Sequence, residues 1–414
     1  MKDKKSLPIA EYVLQRISEL RNEGHPPRTL FAICPNSMSV IKASLRAAKR
    51  NNAPLKFAAT LNQVDSDGGY VRMTQSEFVR YIKKEREKIN FTGPVIIAVD
   101  HGGPWLKDLQ SIEKWPLDKA MNAIKSSLEE AVNAGYDLIH VDPTVDIFLK
   151  PGEVISIEVV AARTVELIEH IEKSRKKNNL NAVSYEVGTE EVHGGLADEK
   201  TFDTFLSLLK KGLKEKGLED VWPCFIVGKV GTDLHTTTFD PKVASDLTAK
   251  VKPYGSLIKG HYTDGVTNPE QYPLSGMGAA NVGPEFTISE YEALIELEEI
   301  ENDLYNKDRI AIKSKIRELL WKAVIDSNRW KKWLLPDERD KSFTDIKIER
   351  QNWLISTGCR YIWQNPDVVV SRYRLYENLK SNGIDAEEIV LMKIEHGMDK
   401  YFRSFNLIDL NKYL

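Results

Sequence analysis

Cysteine is scarce in this chain: three in 414 residues, Cys34, Cys224 and Cys359, none close in sequence to another. That excludes a disulfide framework and a cysteine-type zinc site, and it suits a reducing compartment. No stretch approaches the roughly 18 continuous apolar residues of a membrane span. Residues 1–5, Met-Lys-Asp-Lys-Lys, lead into an amphipathic pattern without the apolar core of a signal peptide. The expected location is therefore cytoplasmic. Neither sign of charge dominates. Lys and Arg number 58 against 61 Asp and Glu, a net charge of -3, so the basic face that nucleic acid requires is missing. The lysine-rich blocks at 173–177 and 210–216 fall in helical patterns and read as solvated faces. There are no repeats and no low-complexity stretch.

What is present is alternation. Short β-branched runs at 29–34, 56–60, 95–100, 138–142, 182–186, 225–228, 257–261 and 280–283 are separated by helical patterns, for example 37–50, 74–89 and 116–134. Eight strands, each followed by a helix, predict an α/β fold, a (β/α)8 barrel; an open doubly wound sheet is the alternative. Parity supports the barrel. Ala98 goes with Asp100, His140 with Asp142, and Ser184 with Glu186 on one face of each strand, with bulkier residues on the other. Beyond about residue 303 strand-like runs vanish. Trp321, Trp330, Trp333, Trp353 and Trp363 appear among charged helical segments, with Arg360, Arg372 and Arg374 nearby. Residues 1–302 are thus expected to form the barrel, and 303–414 a helical, Trp-rich appendage over its mouth or at a subunit contact.

The chemistry-bearing residues sit at strand ends. His101 and His261 end apolar runs, and His235 follows the run 225–228 at a short distance. Imidazoles at the carboxyl ends of barrel strands are where an enzyme would place metal ligands. Asp100, directly before His101, is a candidate to move protons to and from a substrate hydroxyl, and Glu186 for a metal-linked or acid–base role. Asp142 could orient a histidine. His193, in a Glu-Val-His-Gly-Gly run, is close enough to the mouth to replace one of the three histidines, whereas His140 is read as packing against Asp142. Glycine loops, Gly194-Gly195 among them, allow backbone N–H groups to approach phosphate oxygens or merely make turns. Lys229, Lys259 and Arg72 are candidate cations for a substrate phosphate. No Gly-x-x-x-x-Gly-Lys loop supports a nucleotide kinase.

These motifs resemble a known family. Ala59-Thr60-Leu61-Asn62-Gln63-Val64 with Gly68-Gly69-Tyr70, Asp100-His101-Gly102-Gly103-Pro104, and Tyr185-Glu186-Val187-Gly188-Thr189-Glu190 are similar to the D-tagatose-1,6-bisphosphate aldolase subunits long described as non-catalytic. The likeness extends over residues 30–290 and adds Asn62 and Gln63 to the substrate-binding candidates. The order Asp100-His101, Glu186, Gly194-Gly195, Gly231-Thr232-Asp233-Leu234-His235, Gly260-His261 is also similar to the catalytic class II aldolases. That resemblance implies His101, His235 and His261 as ligands of a divalent metal, zinc before others, with Asp100 as proton carrier. It implies a fructose- or tagatose-type ketohexose or its phosphate, opened at C3–C4 by an aldolase or a C4 epimerase. The expected assembly is a homo-oligomer. A stabilising, non-catalytic subunit bound to a class II aldolase catalytic subunit is the alternative.

Overall fold

A computed structural model describes residues 7–150, 153–188, 199–233 and 235–414. Eight strands form one closed parallel barrel in sequence order: β1 (Leu30–Ile33), β2 (Leu55–Thr60), β3 (Val95–Gly102), β4 (Leu138–Val141), β5 (Ser184–Gly188), β6 (Phe225–Val227), β7 (Leu257–Gly260) and β8 (Ala279–Val282). β8 closes on β1, with Ala32 opposite Asn281. The strands are buried on both faces, which is why they read as near-continuous apolar runs.

Local chemistry starts the helices between them. Ser37 caps Met38–Arg50 through the Val40 N–H, and Thr74 and Glu77 form a reciprocal capping box on Gln75–Lys88. Asp240 caps Pro241–Val251, where Pro241 supplies the pre-set first-turn backbone. No helix among the described residues is long and apolar enough to cross a membrane.

The C-terminal region is continuous with the barrel. Helix Pro284–Asn306 leaves β8 and runs unbroken across residues 302 and 303, the boundary drawn from composition. Helix Ala386–Ser404 returns to the outer side of β1, where the Phe31 ring stacks on Tyr401 at 5.1 Å and meets Phe402 edge-on at 5.2 Å. The chain beyond it bonds back to the barrel, Phe405 O accepting from Thr29 N and Asn51 O from Asp409 N. One hydrophobic core spans both regions.

Candidate active site

The barrel interior carries charge. Lys56 on β2, Asp100 on β3, His140 on β4, Glu186 on β5, Lys259 on β7 and Asn281 on β8 all point inward and are almost wholly buried. Lys56 Nζ lies 3.1 Å from Glu186 Oε2. Lys259 Nζ donates to Asp100 Oδ1 at 2.9 Å and also to Glu186 Oε1. Asn281 Nδ2 holds the other Asp100 oxygen at 3.0 Å. Two ammonium groups and two carboxylates therefore offset each other where unpaired charge would be prohibitive. Burial alone would raise both carboxyl pKa values, but Lys259 and the neighbouring histidines outweigh it, and Asp100 and Glu186 are held well below the usual range. Burial works against the Lys259 ammonium too, and the two carboxylates outweigh it, keeping it protonated.

Above this layer, three imidazoles converge. The rings of His101 and His261 lie 4.5 Å apart, with His140 at 5.1 Å from the first and 5.6 Å from the second. Strict alternation would turn His101 away from Asp100. A register shift between Val99 and Gly102 and a positive φ of 51° at His101 re-aim it toward the mouth. Asp142 Oδ2 then takes the His101 Nδ1 at 2.6 Å, while the Thr144 hydroxyl donates to Asp142 Oδ1. His101 is thus the histidine that Asp142 contacts. Burial pushes the Asp142 pKa up, yet its bond to His101 prevails and brings it down to about 2. The close approach of this loop needs Gly103, whose added Cβ would meet the Asp142 carbonyl oxygen at 1.8 Å.

Donor atoms of Asp100, His140, Glu186 and His261 all lie within 4.8 Å of one another, and those of His101, His140 and Asp142 form an overlapping set. His140 Nδ1 accepts the backbone N–H of His101 at 3.1 Å, while its Nε2 is buried without a hydrogen-bond partner. A mixed carboxylate–imidazole set gathered this closely fits a divalent cation.

The structure sorts the sequence-predicted residues. Asp100, His101, Glu186, Asp142 and His261 converge. His235 does not: its N–H is held by Asp233 Oδ1 in the loop beyond β6, and its exposed ring lies 5.8 Å from Trp353. The reason is distance along the chain, since β6 ends at Val227 and a long loop separates the two. His140 stands where the third imidazole was expected, facing Asp100 and Glu186 at 3.3 Å rather than packing only on Asp142. Its shared parity with Asp142 was the signal. Lys259 is not a mouth-facing phosphate cation, because its Nζ is bonded to the interior carboxylates of Asp100 and Glu186. Arg72 is exposed and lines a neighbouring groove with Asp67 and Asp108. Lys229 is half-buried in the loop after β6 and is not among the residues lining the mouth cavity. His193, Gly194 and Gly195 lie outside the described residues.

A cavity of about 260 Å³ sits over the cluster and exposes Asp100, His101 and His261 to it. Asn62 and Gln63 line it with their polar groups engaged. Asn62 bridges Leu106 O and Asp108 N, and Gln63 bridges Thr60 N and Asn36 Oδ1. They hold the β2 loop, where Gly69 approaches the Gln63 carbonyl too closely for any Cβ. The outer wall comes from the C-terminal region: Arg329, Lys332, Trp333, Arg360 and Tyr361.

Fold and site together define a (β/α)8 barrel with a buried carboxylate–imidazole centre beneath a cavity at its mouth. A sequence profile described as D-tagatose-1,6-bisphosphate aldolase subunit GatZ/KbaZ-like matches residues 14–399, and the chain belongs to that family. Among solved structures it is similar to a probable tagatose 6 phosphate kinase from Sinorhizobium meliloti 1021, at TM-score 0.75 and 22% identity, covering 91% of this chain and 100% of that one. A fructose-bisphosphate aldolase from Campylobacter jejuni matches at TM-score 0.54 and 13% identity, over 97% and 95% of the two chains. These two likenesses concern the fold.

Proposed function

We propose that the chain is a metal-dependent sugar enzyme that opens the C3–C4 bond of a ketohexose or ketohexose phosphate of fructose or tagatose type. Its product is then a C4 epimer or a pair of trioses. The observation that carries this reading is the set Asp100, His140, Glu186 and His261, gathered within 4.8 Å beneath the mouth cavity. Those residues would hold a divalent cation, zinc before others, with His101 beside them. When bound, the cation supplies Lewis-acid polarisation of the C2 carbonyl and a counter-charge for the electrons left at C3.

The chain's own groups account for the rest. Asp100 lines the cavity, is ionised, and is fixed by Asn281 and Lys259, so it is in the form that accepts the C4 hydroxyl proton. Asp142 fixes the His101 ring. Lys259 balances Asp100 and Glu186, and the C-terminal wall excludes water from the opened sugar. An aldehyde that leaves gives cleavage; one that turns and re-adds gives the epimer, with the same proton returned from Asp100.

The family description as a subunit favours a second reading, a stabilising partner of a separate class II aldolase without turnover of its own. One experiment divides them. The purified protein is analysed for metal, then incubated with fructose 6-phosphate, with products resolved by NMR. Bound metal together with a new hexulose signal selects epimerase, and triose signals select aldolase; both should vanish in His261→Ala with the metal. No product from metal-loaded protein, together with co-migration and activation of a class II aldolase on gel filtration, selects the partner role.

A further inference from the structure

We infer that Arg360, from the C-terminal region, is the specificity-determining residue that receives the phosphate monoester of the substrate. This rests on the sugar-enzyme reading above and narrows it to phosphorylated ketohexoses. Arg360 is only 7% exposed, and its Nε and Nη2 are buried without hydrogen-bond partners. An arginine that cannot shed its charge is rarely left so, because a buried unpaired cation is costly. Packing does not supply an acceptor. The guanidinium lies over the Trp333 ring at 4.0 Å and near Tyr361 at 5.1 Å, contacts that hold the plane and leave its edge unused.

Asp264, which shares the cavity, does not bond Arg360; its Oδ1 accepts the backbone N–H groups of Gly283 and Glu285, at 2.9 and 2.8 Å. Of the other wall cations, Arg329 Nη2 and Lys332 Nζ both bond Asp108, and the Arg329 plane lies over Tyr361 at 4.1 Å, which leaves Arg329 Nε as the further unpartnered nitrogen. Both add positive potential around Arg360, which is the one of the three with two unpartnered nitrogens and no carboxylate bond. Arg360 and the Asp100–His101–His261 group line the same cavity, so one molecule bound there meets both. Ligand pockets of drug-sized molecules run from about 300 Å³ upward. At about 260 Å³ the cavity suits one sugar phosphate and is too small for a nucleotide. A guanidinium edge with two free N–H vectors matches two oxygens of a phosphate, which is the geometry arginine recognises better than lysine.

The test is calorimetric and needs no turnover. Full-length protein is titrated with fructose 6-phosphate, fructose and inorganic phosphate, alongside Arg360→Gln and Arg360→Lys. Wild type should prefer fructose 6-phosphate to fructose, with inorganic phosphate competing. Arg360→Gln should weaken fructose 6-phosphate and phosphate by about 10- to 100-fold, the usual weight of a charge-assisted pair, while fructose binding and metal content stay unchanged. If that variant does not fold, Arg360→Lys decides: loss of about tenfold for fructose 6-phosphate alone supports the assignment. Equal affinity of wild type for fructose and fructose 6-phosphate overturns it, as does phosphate binding that survives both substitutions. Arg360-dependent phosphate binding in a protein with no product by NMR would leave the subsite standing and sink the catalytic reading. Turnover of fructose and its phosphate with equal affinity would do the reverse.

Discussion

Inside the barrel, Lys56 and Lys259 face Glu186 and Asp100 at contact distance, two cations against two carboxylates with every charge answered. Over the mouth, Arg360 is buried almost as deeply, yet two of its nitrogens have no acceptor. The first arrangement answers charge with charge inside the protein and fixes the ionised form of the two carboxylates. The second is stabilised by aromatic faces and gains most when an anion arrives.

The sharpest way to break that contrast is Lys259→Met. It strands Asp100 and Glu186 together in a dry interior, and removal of one partner from a buried ion pair costs about 3–5 kcal/mol. Urea unfolding should show a loss of that order. By contrast Arg360→Gln should change stability by no more than about 1 kcal/mol, since the lost aromatic contact is offset by the relief of an unpaired charge. Comparable losses in the two variants would erase the distinction.

Asp137→Asn probes what a half-buried carboxylate costs when no cation touches it. Asp137 accepts the Ile97 N–H at 2.8 Å, but burial dominates and pushes its pKa up to about 6. In the unfolded chain it ionises near its ordinary value of 3.8. As pH rises from about 4 to about 6 the unfolded state therefore loses its proton first and stability falls; the full penalty holds above pH 6. The asparagine keeps the acceptor without the charge. It should unfold at a higher temperature than wild type at pH 8, by the equivalent of about 1–3 kcal/mol, and the two should converge below pH 4. An unchanged difference across that range would remove burial as the cause of the raised pKa.

Asp142→Asn is the mildest for folding and the most local in effect. His101 keeps a hydrogen bond to the amide but loses the charge that fixes its tautomer. Metal affinity, read by titration with a chelator, should drop by about 10- to 100-fold, with unfolding shifted far less than in Lys259→Met. Undiminished affinity would remove His101 from the metal centre.

The eight strands were legible because parallel strands buried on both faces read as short β-branched runs between capped helices, and each run fell on an observed strand. Parity correctly grouped Asp100, Asp142 and Glu186, since a side chain two residues along a strand must share its face. It also pointed to His140, which was passed over because a histidine within a strand looked like packing. His101 reached the site against parity, through a bulge that no residue pattern announces. His235 was misplaced for the opposite reason: a strand end fixes only the next few residues, and a loop of that length can carry a side chain anywhere. The role of Arg360 was out of reach from the sequence. It stood out only as one of three arginines near tryptophans, and of the others Arg372 lies 3.7 Å from Glu290. Only the return of the C-terminal helices over the mouth distinguishes them.

That return has a consequence for synthesis on the ribosome. The outer wall of the mouth is built from residues 329–361, and the aromatic cover of the first strand from residues 401–405, all C-terminal to the eight strands. A nascent chain with all eight strands already emerged still has an open centre and a naked Phe31. The walled cavity therefore forms only after all eight strands and the helices that follow them have been made.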